Sequence, residues 1–165
     1  MKSGIVRYNM DGLNSFIKAM DGAGKYKIKV GVLGTKVNRK QGDTTLTNAE
    51  IGFKHEFGSY AEKIPQRSFL RMPMNDKMAE ILEMVRLGGL LLLLVAGEIK
   101  QIYKIIGVAC ESIIGDAFET SGFGNWKPLT KYTIERKIQQ NPAPLINSRQ
   151  LQRAITSRVE LKGDT

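Results

Sequence analysis

Apolar positions recur along this chain with several different periods, and each period predicts an element. Leu13, Phe16, Ile17 and Met20 fall at helical spacing within Asp11 to Asp21, which predicts a short amphipathic helix ended by Gly22-Ala-Gly24. Tyr26, Ile28, Val30 and Val32 then alternate with lysines from Lys25 to Leu33, the period-two mark of a half-buried strand. From Gly34 to Thr47 no apolar period survives, so a flexible basic loop is expected at about 35–47. Thr47 or Asn48 can cap a helix running through Phe57 and ended by Gly58.

Ile64-Pro-Gln-Arg-Ser-Phe-Leu-Arg-Met-Pro73 predicts an extended segment framed by two prolines. Asn75 or Asp76 reads as the N-cap of the longest element, from about Lys77 to Thr120. Gly88-Gly89 and Gly97 weaken that helix by roughly 1 kcal/mol each relative to Ala, so a kink or break is expected there. Ile99, Ile102, Tyr103, Ile106, Ala109, Ile113, Ala117 and Phe118 continue as one apolar stripe. The run Leu87 to Gly97 is about half the ~20 residues that cross a bilayer, and reads as a helix buried by its own fold or by a neighbouring subunit. Ser121 to Asn125 is a loop, Thr130 to Gln140 a polar helix, and Asn141-Pro-Ala-Pro144 its stop. Ser148 is placed to cap a last short helix that turns Leu151 and Ile155 inward, and Ala154 to Lys162 alternates as a final strand. Together these elements predict a single α+β domain over 1–165: a small antiparallel sheet packed on one long, kinked helix and several short helices.

Composition adjusts this picture in two ways. With 165 residues, 42% hydrophobic and 25% charged, the chain can bury a core and is not a disordered polymer. Its net charge of +9 points to an acidic partner or to a positive wall in an assembly. Cys110 is the lone cysteine, which rules out an internal disulfide, and its apolar helical setting predicts a buried thiol and a reducing compartment during assembly. Met1 to Asp11 has no apolar core of the kind a secretion leader carries.

Chemistry is sparsely provided for. His55 is the single histidine, and its neighbour Glu56 points about 100° away on a helix, so the two do not form a dyad. A hydrogen-bonded helix histidine is the plainer reading. Glu80 with Glu83, and Asp116 with Glu119, share helix faces as solvated carboxylates do. Gly31, Gly34, Gly122 and Gly124 do not build a nucleotide loop. No catalytic residue, metal site or cofactor is expected. Basic residues gather in the loop (Lys36, Arg39, Lys40) and in the last quarter, where Arg149 and Arg153 are four apart. Such groups suit salt-sensitive, sequence-blind contact with passing DNA, in the absence of any motif for base reading.

Three stretches resemble the phage virion-morphogenesis family of tail-completion and neck proteins. They are Asn48-Ala-Glu-Ile-Gly-Phe-Lys-His-Glu-Phe-Gly58, Ile64-Pro-Gln-Arg-Ser-Phe-Leu70, and Trp126-Lys-Pro-Leu-Thr130 followed by Thr133, Lys137, Pro144-Leu-Ile146 and Leu151. Their order and spacing follow the family over about residues 25 to 160. The family commonly has a glycine after the serine of the last turn, where this chain has Arg149 after Ser148. The resemblance implies a non-enzymatic structural subunit of a virion, assembled in the host cytoplasm into a ring at the head–tail junction or the top of the tail. A hexamer is the expected homo-oligomer, with twelve copies the alternative, and head-connector, tail-tube or terminator proteins are the expected neighbours. No membrane partner is expected. Phe53, Phe57, Phe69, Trp126 and Leu151 become packing or interface anchors under this reading. Lys36, Arg39, Lys40, Arg149 and Arg153 become lumen- or DNA-facing residues. Two rivals stand beside it: a basic DNA-binding accessory protein without enzymatic activity, motivated by the charge, and a small enzyme built on His55 and Glu56.

Overall fold

A computed structural model of the protein describes residues 17–18, 21–22, 24–33, 46–95, 99–137 and 142–163. The chain is α+β. Strand β1 (Tyr26–Val32) is followed by helices α1 (Asn48–Phe57), α2 (Arg71–Asp76), α3 (Met78–Val95), α4 (Ile99–Glu119), α5 (Lys131–Glu135) and α6 (Gln150–Ala154), and strand β2 (Ile155–Leu161) closes the order. Leu13, Phe16 and Met20 of the expected first helix, and the basic residues Lys36, Arg39 and Lys40, lie outside the described residues. So does the part of the expected polar helix from 138 to 140.

The two strands pair antiparallel from Tyr26 opposite Leu161 to Val32 opposite Ile155. Side chains alternate across a strand, so Ile28, Val30 and Val32 share a face with Val159, Ser157 and Ile155. That face lies on α4. A Cβ added at Gly107 would fall 2.6 Å from Ser157 Oγ and 3.5 Å from Ile28 Cγ2, so a bare backbone sets how near helix and sheet approach. The Tyr26 and Tyr103 rings meet at 5.9 Å along the same seam. On the opposite face Glu160 pairs with Lys29 at 2.7 Å.

Helix α4 is the spine. Ile106, Cys110, Ile113, Ile114, Ala117 and Phe118 are all buried, as the apolar stripe requires. The core closes at its C-terminal end, where Phe118 takes Phe69 edge-on at 5.3 Å and Trp126 at 5.9 Å, with Ile146, Leu151 and Ile155 packed around them.

Four local expectations change. The long element divides between Val95 and Ile99, where a break at Gly97 is one of the two expected, into helices α3 and α4, which lie antiparallel rather than continuing as one kinked helix. A Cβ at Gly88 would stand 2.7 Å from Ile102 Cγ2, whereas one straight helix would separate these residues by about 21 Å. Lys77 Nζ lies 5.5 Å from the Phe123 ring at the other end of the pair. Gly88-Gly89 do not break α3; Gly88 marks where the two helices touch. Second, Asn75 and Asp76 cap nothing, because the chain is already helical from Arg71. Pro73 permits this at the third helical position, where no intrahelical donor is needed.

Third, α5 ends at Glu135, five residues before the expected stop. Fourth, Ser148 is not the cap of α6. Arg149 holds that position in a left-handed conformation (φ 57°) and makes no side-chain cap. A glycine would take this shape without steric cost.

Candidate functional site

The three motif segments meet in space, and each holds the next. Thr47 starts α1 with a reciprocal capping box: its hydroxyl accepts from Glu50 N at 3.2 Å, and Glu50 Oε2 accepts from Thr47 N at 2.7 Å. Gly58 ends the helix at φ 77°, where a Cβ would crowd Gln66 N at 3.0 Å. The turn that follows is closed by paired bonds between Ser59 and Ile64 and by Arg67 N donating to His55 O. This brings 64–70 back beside the last turn of α1.

Glu56 is the hinge pin of the arrangement. Its side chain is buried and accepts five hydrogen bonds: from Ser68 Oγ (2.7 Å), Phe69 N (2.8 Å), Leu70 N (2.9 Å), Arg71 N (3.2 Å) and Arg71 Nε (2.9 Å). Leu70 precedes α2 and has no side chain able to cap it. Glu56 therefore caps α2 from another helix, with its negative charge at the positive end of the helix. Ser68 Oγ takes the next free donor, Met72 N, at 3.0 Å, and Pro73 has none to satisfy. Burial alone would raise the Glu56 carboxyl, but the Leu70, Ser68 and Arg71 donors outweigh it and hold the group below the usual carboxylate range.

The second and third segments are tied twice. Arg67 donates Nε (3.1 Å) and Nη2 (2.9 Å) to the Lys127 carbonyl, and Trp126 Nε1 donates to Ser68 O at 3.1 Å. Gly122, at φ 69°, lies flat against the Trp126 indole, where any Cβ would collide with the ring.

Beside this junction opens a cleft of about 1330 Å³ between the 59–65 turn, the 127–133 segment and the approach to α6. His55, Lys63, Arg67, Lys127, Lys137 and Arg149 line it, and among the described residues its lining contains no Asp or Glu. Lys137 Nζ donates to Ala143 O, and Arg149 pairs with Glu119 and donates to Gln152 Oε1 at 3.0 Å. His55 Nδ1 and Ser148 Oγ are buried without a hydrogen-bond partner among the described residues. Burial, with Arg67 close by, lowers the His55 pKa to about 4, so the ring is neutral at pH 7.

The sequence-derived anchors divide. Phe69, Trp126 and Leu151 belong to the core. Phe53 (65% exposed) and Phe57 meet at 4.8 Å with their rings tilted by 45° on the surface of α1, and the Arg71 guanidinium covers Phe57 at 4.6 Å. Arg153 is exposed in the last turn of α6, while Arg149 lies before that helix with its head group on Glu119, so the two do not form one helical basic face. Cys110 is buried, and burial pushes its thiol up. His55 and Glu56 are adjacent but engage different partners. Glu80 pairs with Lys77 and Glu83 with Arg86, both at the surface. Among the described residues no His, Cys, Asp and Glu side chains group as a metal site, and no helix is long and apolar enough to cross a membrane.

Sequence reasoning missed Glu56 as a cap and Arg67 as a buried cation. The signal available was their place inside the first two motif segments. Comparison with protein-family models, curated proteins and solved structures returned no match to this chain.

Proposed function

We propose that this protein is a non-enzymatic structural subunit of a phage virion, part of a ring at the head–tail junction or the top of the tail. The observation that carries this reading is that the three segments resembling the virion-morphogenesis family interlock, through Glu56 on 68–71, Arg67 on Lys127 and Trp126 on Ser68. That the three segments pack as one unit supports the reading. A surface for self-association supports it further. Met78, Leu82 and Val85 repeat at i, i+4 and i+7 on α3 and are all exposed, with Leu82 at 59%. An apolar row of this kind on a soluble domain marks an interface. Assembly would take place in the host cytoplasm, with connector or tail-tube proteins as neighbours.

Light scattering after size exclusion, at low and moderate salt, tests the reading. A particle of six or twelve 18.4 kDa subunits, alone or on adding connector or tail-tube protein, is the expected result. Leu82→Glu combined with Val85→Glu should dissolve that particle while leaving the melting temperature nearly unchanged, since exposed substitutions shift stability by only about 0.5 kcal/mol each. A monomer indifferent to those proteins overturns it. The net charge of +9 favours a second reading, a DNA-binding accessory protein. That reading requires duplex binding by the monomer that weakens steeply with added salt.

A further inference from the structure

We propose that the basic cleft beside the motif junction is a docking site for a partly apolar, acidic peptide segment of a partner protein, whose carboxylate pairs with Arg67. The inference goes beyond the assembly reading and does not depend on it.

Arg67 is only 5% exposed, yet no carboxylate among the described residues pairs with it. Its donors meet a carbonyl, which satisfies hydrogen bonds without balancing charge. Its titratable neighbours do not relieve the imbalance, because Lys137 is a like charge and His55 is neutral at pH 7. Buried charge is ordinarily matched by an opposite one, and this protein matches its other buried ion, Glu56, with Arg71. Among the described buried ions Arg67 alone is left unbalanced, in a cleft whose charged lining residues are all cationic.

Two further features select the class of ligand. His55 Nδ1 and Ser148 Oγ, both from residues of the cleft lining, are buried without a partner among the described residues, so the cleft wall holds unsatisfied polar groups besides the guanidinium. The walls are apolar, formed by Ile51, Ile64, Pro65, Leu129 and Leu145. A free inorganic ion is too small for about 1330 Å³ and leaves those walls wet. Duplex DNA presents a convex backbone that reaches exposed lysines rather than a guanidinium with 5% exposure. A peptide with an acidic residue between apolar ones meets both demands. A second copy of this +9 chain is poorly matched in charge.

His55 is the only histidine, so its ring gives a single unambiguous NMR signal in the full-length protein. We would follow that signal while adding, at low salt, a capped Leu-Asp-Leu-Glu-Ile peptide, its Leu-Asn-Leu-Gln-Ile counterpart, sodium acetate, or a short DNA duplex. The expected result is a saturable shift with the acidic peptide, a rise of the His55 titration midpoint above about 4, and little response to the amide peptide. Reversing the exposed rim with Lys63→Glu and Lys127→Glu should weaken binding about tenfold or more, whereas Lys104→Glu, outside the cleft, should not. An equal response to both peptides, or none to the acidic one, overturns the proposal. So does a response to duplex DNA or acetate that matches the acidic peptide, or a shift that grows with protein concentration alone.

Discussion

Glu56 shows how one side chain can carry a helix junction. Five donors converge on its carboxylate, and two of them, Arg71 N and Arg71 Nε, belong to the residue that opens α2. Glu56→Gln keeps the shape but removes the charge and turns an amide donor toward backbone N–H groups. The expected loss is about 3 kcal/mol in urea unfolding at pH 7. Because donors hold the folded carboxyl below its unfolded value, its contribution is complete at neutral pH and declines as pH falls below about 4.5 toward the folded pKa. His55 acts in the window just above. Its folded pKa of about 4 lies under the ordinary 6.5, so the unfolded chain takes up the proton first as pH falls. Stability should drop by roughly 3 kcal/mol between pH 6.5 and 4 from this group alone. His55→Gln should flatten that limb of the stability–pH curve; an unchanged slope would show that the ring titrates normally.

Elements, by contrast, are governed by where backbone can approach backbone. Gly107 and Gly89 both lie inside helices, and both cost helix propensity, yet their surroundings differ. A methyl at position 107 meets Ser157 Cβ at 3.0 Å as well as its Oγ, while at position 89 nothing lies within 4 Å. Gly107→Ala should therefore destabilise by about 1–3 kcal/mol, as overpacking does, with recovery in the Gly107→Ala, Ser157→Gly pair. Gly89→Ala should stabilise by about 0.5–1 kcal/mol. Thermal melts of the two single variants, moving in opposite directions, are the check. The same contrast explains what the chain made legible. Lysine–apolar alternation announced β1, a cap at Thr47 or Asn48 announced α1, and the spine of α4 followed from one stripe, because each signal is local. Gly88 was read as a helix breaker since propensity alone is visible in sequence; its contact with Ile102 is tertiary. The cap of α2 was hidden for the same reason, as its capping side chain lies fifteen residues before Arg71 on another helix. Ser148 looked like a cap by residue type, but the left-handed turn at Arg149 leaves its hydroxyl without a partner among the described residues.

At the scale of the whole molecule, the sheet joins opposite parts of the chain, since Val32 and Ile155 are register partners. Everything from α1 to α6 lies inside the loop that this ladder closes. The core depends on that closure, for Ile155 belongs to the cluster of Phe69, Phe118 and Trp126. A chain shortened before Ile155 should lose cooperative unfolding rather than a peripheral strand, which a denaturant titration of the truncated protein would reveal as a broad, shallow transition. The ladder also sets an order in time. During translation β1 leaves the ribosome well before β2, so while the segment between them is being made Tyr26 to Val32 has no strand to pair with. Unpaired strands recruit one another, and charged side chains along an edge discourage it. Lys25, Lys27 and Lys29 supply that repulsion between nascent chains, and Glu160 relieves it only when the final strand arrives. The alternation that first identified β1 thus also guards the protein before it has a fold.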